Sequence, residues 1–194
     1  MQPAASASAD AVIAAAVKSE DSKIVTFKPE QQASKGSVTV AGKRLDYDAY
    51  AGTFVVHLKG YDDVPQNVNK DDKVGPAEAS MFYAAYFKSG APSAQRPITF
   101  LFNGGPGSST VWLHMGAFGP RRVVTLDNAH TPAAPYSLVN NEYSLLDASD
   151  LVFIDAPGTG FSRVAGKDRE KAFFGVDPDA HAFAEFITDF LSKW

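Results

Sequence analysis

The sequence predicts an α/β fold in which antiparallel hairpin strands lead into a mostly parallel sheet flanked by helices. In the first half of the chain, short β-prone runs alternate apolar and polar residues between turn residues. Two uninterrupted apolar runs, 98–102 and 151–154, each end in a glycine-rich turn, as strands buried on both faces do. Towards residue 194, apolar side chains recur every three or four positions, as in an amphipathic helix.

The composition is that of one globular domain, and it excludes several classes of function. With 194 residues, 45% of them hydrophobic and 21% charged, the chain can bury a core. Its 18 basic and 22 acidic residues give a net charge of -4, so we expect no nucleic-acid partner. The sequence has no cysteine, no histidine pair with metal-ligand spacing and no apolar run of membrane length. We therefore expect no disulfide, no metal or other cofactor and no membrane span.

Residues 1–22 predict a disordered tail, which leaves residues 23–194 as the folded domain. The tail is rich in alanine and serine and lacks the basic and long apolar regions of an intact secretory signal. A signal that had already been removed would leave a start of this kind.

Four β-prone runs build the predicted hairpins. These runs are 37–40, 45–50, 53–58 and 81–87. Turn residues at Ala41-Gly42 and at Gly52 separate the first three runs. The polar segment 60–76, which contains two prolines, predicts a surface loop before the fourth run.

The clearest predicted helix follows Asp177, which can cap it, and Pro178, which suits the first helical position. Its apolar residues are Phe183, Phe186, Ile187, Phe190, Leu191 and Trp194. Such a face requires a large partner surface. Because no further element follows it, we expect the sequence to be the truncated N-terminal part of a longer protein.

The loop N-G-G-P-G-S-S-T at residues 103–110 follows the first apolar strand, and its glycines leave backbone N–H groups free to surround an oxygen. One alternative is a phosphate cradle, which the D-x-P-G turn after 151–154 and an N-K-x-D sequence at 69–72 favour. A phosphate cradle requires a lysine after its last glycine, but Gly107 is followed by Ser108 and Ser109. The second alternative is an oxyanion hole, which requires no lysine.

Four sequence blocks carry a longer resemblance. The blocks are F-N-G-G-P-G-S-S at 102–109, G-P at 119–120, N-x-x-S-L-L at 141–146 and D-A-P-G-T-G-F-S at 155–162. Together they resemble the serine carboxypeptidase family, peptidase family S10. The resemblance implies an α/β-hydrolase fold, with this chain as its N-terminal portion. It also implies removal of C-terminal residues from peptides with a free C-terminus, a secreted or periplasmic location, and a homodimer in the full-length form.

The resemblance also implies roles for three residues of the loop. The backbone N–H of Gly105 would help to form the oxyanion hole, while Asn103 and Gly104 would hold the substrate's terminal carboxylate. An amide donor and free backbone N–H groups suit that anion. No serine lies in a G-x-S-x-G frame, so we expect the nucleophile, aspartate and histidine beyond this sequence. The 194-residue chain alone is then expected to be inactive.

Three positions depart from the family pattern. Leu101 stands where many members have tryptophan, and Ala117 stands where they have glutamate; both positions normally help to bind the carboxylate. Ser108 stands where a disulfide cysteine often lies. Candidates for the lost carboxylate contacts are His114, Arg121 and Arg122.

Two other interpretations stay open. Ser108, Asp155 and His181 follow the chain order of a hydrolase triad, although an aspartate before Ala-Pro-Gly more often bonds to amides of its own turn. A non-catalytic role, as a family-derived fragment or binding module, would require no triad at all.

Overall fold

The computed structural model describes residues 27–61, 75–104, 107–125, 130 and 133–194. The predicted tail, most of the predicted loop 60–76, the N-K-x-D sequence and Gly105 lie outside the described residues. The strands are β1 (Gln31–Val40), β2 (Lys43–His57), β3 (Glu78–Lys88), β4 (Ile98–Leu101), β5 (Arg121–Val123), β6 (Leu138–Asn140), β7 (Asp150–Ile154) and β8 (Arg163–Ala165). The helices are α1 (Val111–Leu113), a π-helical turn (His114–Phe118), α2 (Arg169–Phe173) and α3 (Val176–Lys193), with single helical turns at Ser93–Gln95 and Leu145–Asp147.

Six strands form one open sheet in the order β1-β2-β3-β7-β4, and β8 also pairs with β3. Only β4 and β7 run parallel among the described strand pairs. β5 and β6 form a separate antiparallel pair. The mixed α/β architecture is confirmed, but over the described residues the sheet is mostly antiparallel rather than mostly parallel. The reason is that one crossover, from β4 to β7, contributes a parallel pair, whereas the hairpins contribute antiparallel ones.

β1 and β2 form a long hairpin whose tight turn is predicted correctly. Ala41 and Gly42 have φ angles of 48° and 75°, and two-residue hairpin turns of type I′ require positive φ at both positions. The predicted break at Gly52 is wrong, because β2 runs through it. A Cβ on Gly52 would lie 2.2 Å from the Glu30 carbonyl oxygen, which accepts a 2.8 Å hydrogen bond from the Thr53 N–H. The glycine therefore permits a close backbone approach inside a continuous strand.

The apolar face of α3 packs on one face of the sheet. Phe186 and Phe190 are fully buried, and their rings lie 5.9 and 5.5 Å from the ring of Tyr83 in β3. Trp194 packs against Tyr50 of β2. The partner surface that this helix requires is thus the chain's own sheet, so the helix face does not support the expected truncation.

The start of α3 differs slightly from the prediction. The helix begins at Val176, immediately after Gly175, so Asp177 lies inside the first turn and does not cap it. An acidic side chain in the first turn still favours the helix through the helix dipole. The prediction of the helix itself is confirmed.

The opposite face of the sheet carries a second, smaller core. Val152 and Ile154 of β7 face α3, whereas the alternating Leu151 and Phe153 belong to the second core. Helical turns at 111–118 and 145–147 cover this face. β7 is therefore buried on both faces, as predicted.

β4 is less buried than its sequence predicts. All of its residues are half-buried, and its only strand partner within the described parts of the chain is β7. The strand therefore lies at the edge of the sheet, with one side open.

Candidate active site

The carboxyl ends of β4 and β7 meet at one edge of the sheet, because the two strands are neighbours and run parallel. Each strand leads into a glycine-rich loop; we call these the asparagine loop (103–110) and the aspartate loop (155–162). Together with the segment that joins α2 to α3, the described parts of the loops line a cavity of about 650 Å³. Open α/β sheets bind ligands at this position. The cavity is therefore the candidate site.

Asp155 braces the two loops against each other. Its buried carboxylate accepts hydrogen bonds from the Thr110 N–H at 2.8 Å and from the Phe161 N–H at 2.9 Å. A Cβ on Gly160 would lie only 2.0 Å from the carboxylate, so glycine is needed there. Because backbone amides hold both oxygens, the expectation of a structural role for Asp155 is confirmed.

Thr110 is a second brace, which the sequence pattern does not predict. Its hydroxyl donates a hydrogen bond to the Ile154 carbonyl oxygen and accepts one from the Asn103 N–H at 3.2 Å. The residue is buried where the asparagine loop enters α1. The sequence indicates this role only through the position of Thr110 before a helical turn, where threonine oxygens often bind backbone groups.

The Asn103 side chain lies within the asparagine loop. Its Nδ2 donates to Ser108 Oγ at 2.5 Å and contacts the Gly104 carbonyl oxygen at 3.4 Å. The second contact is long for a hydrogen bond. Asn103, Gly104 and Ser108 all line the cavity. The structure thus brings together the two described residues predicted to bind a carboxylate, while the role of Gly105 stays a prediction.

Comparison with known proteins bears on what this site does. A model of the family described as serine carboxypeptidase matches residues 67–194. The chain belongs to the serine carboxypeptidase family. It is 34% identical over 104 residues to the pheromone-processing carboxypeptidase KEX1 of Saccharomyces cerevisiae, an alignment that covers 53% of this chain and 13% of the yeast protein. It is 31% identical over 90 residues to serine carboxypeptidase-like 9 of Arabidopsis thaliana, which covers 46% of this chain and 20% of the plant protein. The chain therefore spans a small part of these relatives' length.

Two departures from the serine carboxypeptidase pattern lie away from the cavity. Leu101 packs against the second core. Ala117 lies in the π-helical turn, where its carbonyl oxygen accepts a 2.7 Å hydrogen bond from the buried Asn141 Nδ2, which also donates to the Gly119 carbonyl oxygen at 2.7 Å. Asn141, from the third sequence block of the serine carboxypeptidases, thus anchors this turn.

None of the three predicted replacements lines the described part of the cavity. The His114 Nε2 lies 2.6 Å from Tyr86 Oη, on the face of the sheet that carries the second core. Burial lowers the pKa of His114 to about 4. Arg121 is exposed on β5, and the buried Arg122 Nε has no hydrogen-bond partner among the described residues.

Ser108, Asp155 and His181 do not form a triad. Ser108 lines the cavity, whereas His181 lines a separate depression of about 460 Å³ that also contains His57. The His181 Nε2 lies 3.6 Å from Glu185 Oε2, and the Asp155 carboxylate binds backbone amides. The three residues are therefore not arranged as nucleophile, base and acid.

The part of the chain that the structure describes contains neither a metal-binding cluster nor a membrane-spanning helix. No group of three or more histidine, aspartate or glutamate residues there could hold a metal ion. None of the described helices combines the length and apolarity that a bilayer crossing requires.

Proposed function

We propose that this chain supplies the oxyanion hole and the terminal-carboxylate site of a serine-type carboxypeptidase. The observation that carries the proposal is the position of the asparagine loop at the carboxyl end of β4, where Thr110 and Asp155 brace it beside the cavity. Stabilising an oxyanion requires N–H donors that are held in place before the reaction, and a braced loop meets this requirement. Membership of the serine carboxypeptidase family supports the reaction class.

In this proposal the serine, histidine and aspartate of the triad lie outside these 194 residues. The open side of β4 supports that arrangement. A further parallel strand added there would end beside the asparagine loop, at the edge where α/β folds place their sites. A serine in the turn after such a strand would face the same cavity.

The proposed reaction is acyl transfer to a serine and then to water. The serine hydroxyl attacks the carbonyl carbon of the last peptide bond while the histidine takes its proton, and the Gly105 N–H stabilises the charged oxygen. The histidine then protonates the departing amino acid, and water hydrolyses the acyl-enzyme by the same steps. Asn103 and Gly104 hold the terminal carboxylate until that amino acid departs, and no metal or organic cofactor takes part.

The proposal includes the peptide substrate with a free C-terminus, the secreted or periplasmic location and the homodimer that the resemblance implies. Cell fractionation and light scattering of the full-length protein test the location and the homodimer separately from the chemistry.

The test of the chemistry is hydrolysis, by the full-length protein, of a blocked dipeptide with a free carboxylate and of its C-terminal amide. We expect hydrolysis of the free acid to be strongly preferred. Gly105→Pro removes one N–H donor, so we expect kcat to fall by about 10²- to 10³-fold with little change in KM. Circular dichroism establishes that the variant is folded.

Labelling of the wild-type protein by a fluorophosphonate, read by mass spectrometry, reports a reactive serine independently of turnover. Labelling at a serine outside the 194 residues would agree with the proposal. A folded wild-type protein that neither labels nor hydrolyses either peptide would contradict it and favour the non-catalytic binding module.

A further inference from the structure

Asn103 is the one asparagine of the sequence that is followed by glycine. The backbone nitrogen after an asparagine can attack the side-chain carbonyl carbon, Cγ, and close a succinimide ring, which is one reason why asparagine is a thermolabile residue. Glycine in the next position favours this reaction, because it adds no side chain that shields the nitrogen and it leaves the backbone free to rotate. The Asn103-Gly104 pair therefore carries a reactivity of its own, whatever ligand the cavity binds.

The asparagine loop leaves the reacting groups open to each other. Gly104 is exposed, and its N–H donates no hydrogen bond within the part of the chain that the structure describes. The Asn103 Nδ2 lies 3.4 Å from the Gly104 carbonyl oxygen, so the side-chain amide bends over the peptide bond that joins the two residues. A Cβ on Gly104 would meet no atom within 4 Å beyond its two chain neighbours. Packing therefore does not require glycine at this position.

A hydrogen bond to Ser108 restrains the Asn103 side chain. The Asn103 Nδ2 donates to Ser108 Oγ at 2.5 Å. This bond engages the nitrogen that would leave, and not Cγ, the atom under attack. The Ser108 hydroxyl also carries a proton, which it can give to that nitrogen as the C–N bond breaks. Ser108 therefore holds the amide in place without blocking the reaction.

Asn140 and Asn141 provide the comparison within the same chain. Asn140 exchanges two hydrogen bonds with the backbone of Thr39 in β1, and the Asn141 Nδ2 donates to two carbonyl oxygens. Neither residue is followed by glycine. Both the sequence and the hydrogen bonds therefore favour ring closure at Asn103 over these two asparagines.

We propose that Asn103 is a site of spontaneous deamidation. The Gly104 nitrogen loses its proton and bonds to Asn103 Cγ, the Cγ–Nδ2 bond breaks, and Nδ2 departs as ammonia. Water then opens the ring at one of its two C–N bonds. Opening at Cγ gives aspartate, and opening at the backbone carbonyl carbon gives isoaspartate, whose main chain is one methylene group longer. Both products place a carboxylate at position 103.

The consequence for activity rests on the proposed function, in which Asn103 holds the terminal carboxylate of the substrate. A carboxylate at position 103 has no N–H to donate, and it repels the substrate's own carboxylate. The longer main chain of isoaspartate also displaces the N–H of Gly105, the next glycine of the loop. The enzyme would thus lose activity with age, at a rate set by its own asparagine loop.

Peptide mass spectrometry of the folded full-length protein, stored at mildly alkaline pH in heavy-oxygen water, tests the proposal. We expect aspartate and isoaspartate to accumulate at position 103, each with one oxygen from the water, while Asn140 and Asn141 keep their amides. Because a Cβ shields the nitrogen and restricts the backbone, we expect Gly104→Ala to slow the modification about tenfold. Gly116→Ala is the matched control, because a Cβ there also meets no atom within 4 Å and the preceding residue is Met115. It should modify at the wild-type rate.

Three results would overturn the proposal: no modification at position 103, aspartate without isoaspartate, or an unchanged rate in a folded Gly104→Ala variant. Aspartate alone would mean direct hydrolysis of the amide without a ring. Peptide hydrolysis by the same samples tests the proposed function separately, because the loss of activity should follow the modified fraction. Modification without any loss of activity would contradict the role of Asn103 in substrate binding and still establish the deamidation.

Discussion

His114 lies in the π-helical turn, with its ring stacked on Phe153 at a centroid distance of 4.6 Å. Its Nε2 lies 2.6 Å from Tyr86 Oη, and a neutral imidazole nitrogen accepts that hydrogen bond. Burial lowers the pKa of His114 to about 4, and the negative charge of Asp155 only partly opposes this effect. Burial also raises the pKa of Tyr86. At neutral pH both partners are therefore uncharged.

The low pKa of His114 predicts a loss of stability in mild acid. Between pH 6.5 and about 4, His114 stays neutral in the folded state but takes up a proton on unfolding. The unfolded state then binds more protons, so the free energy of unfolding falls as the pH falls, by up to about 3 kcal/mol. We expect His114→Gln to flatten the dependence of melting temperature on pH in this window.

The exposed His130 provides the control for this measurement. His130→Gln should leave the slope of the wild-type protein unchanged. Equal slopes for His114→Gln and the wild type would show that another group causes the acid sensitivity.

At the scale of elements, the two site loops depend on each other for their shape. The asparagine loop follows β4 and the aspartate loop follows β7, but Thr110 binds a carbonyl oxygen of β7 and an N–H of its own loop. The Asp155 carboxylate accepts a hydrogen bond from the Thr110 N–H at 2.8 Å. A change in either brace therefore affects the cavity between the loops.

Thr110→Val tests this brace, because it keeps the shape of the side chain and removes the hydroxyl. The Ile154 carbonyl oxygen and the Asn103 N–H would lose their partner, and an unsatisfied buried polar group costs about 1–3 kcal/mol. We expect the free energy of unfolding to fall by about 2 kcal/mol or more, measured by urea denaturation. Thr110→Ser retains the hydroxyl, so we expect a smaller loss. If Thr110→Ser lowered the free energy of unfolding as much as Thr110→Val, the hydrogen bonds would not be the cause.

At the scale of the whole molecule, one buried ion pair joins parts of the chain that are distant in sequence. The Arg96 Nε lies 3.0 Å from Asp150 Oδ1, which also accepts the Lys88 N–H at 3.0 Å. The Arg96 Nη2 donates to the Leu146 carbonyl oxygen at 2.8 Å. The pair thus connects the end of β3, the start of β4 and the start of β7.

Removing one partner of this pair leaves an uncompensated buried charge. We expect Arg96→Met to lower the free energy of unfolding by about 3–5 kcal/mol. The double variant Arg96→Met/Asp150→Asn should lose less than the sum of the two single variants, because neither charge then remains unpaired. Urea denaturation of the four proteins measures this coupling, and additive losses would mean that the two side chains act independently.

Local sequence patterns predicted the backbone of the site, whereas its side-chain contacts depend on distant residues. The runs 98–102 and 151–154 and their glycine-rich turns located the two loops, because strand and turn preferences are local. Thr110 was missed because its partner, Ile154, lies 44 residues away. The predicted break at Gly52 is wrong because the approach of Glu30 is not visible in the pattern around it.

The site residues that the family resemblance implies show a similar limit. Asn103 and Gly104 line the cavity, while their role in binding a carboxylate stays a prediction. Asp179 also lines the cavity, although nothing near it in the sequence indicates a site. Only the packing of α3 on the sheet brings its first turn to the asparagine loop.

The strand order also determines when the site can form during synthesis. β7 lies between β3 and β4 in the sheet, although the ribosome makes it after both. At a synthesis rate of about 5–20 residues per second, roughly 2–10 s pass between the synthesis of β4 and that of β7, the strand that covers its inner edge. During that time the asparagine loop lacks Asp155, and two open strand edges can pair with other nascent chains. Slower synthesis of the segment between β4 and β7 therefore lengthens the time for which these edges stay exposed.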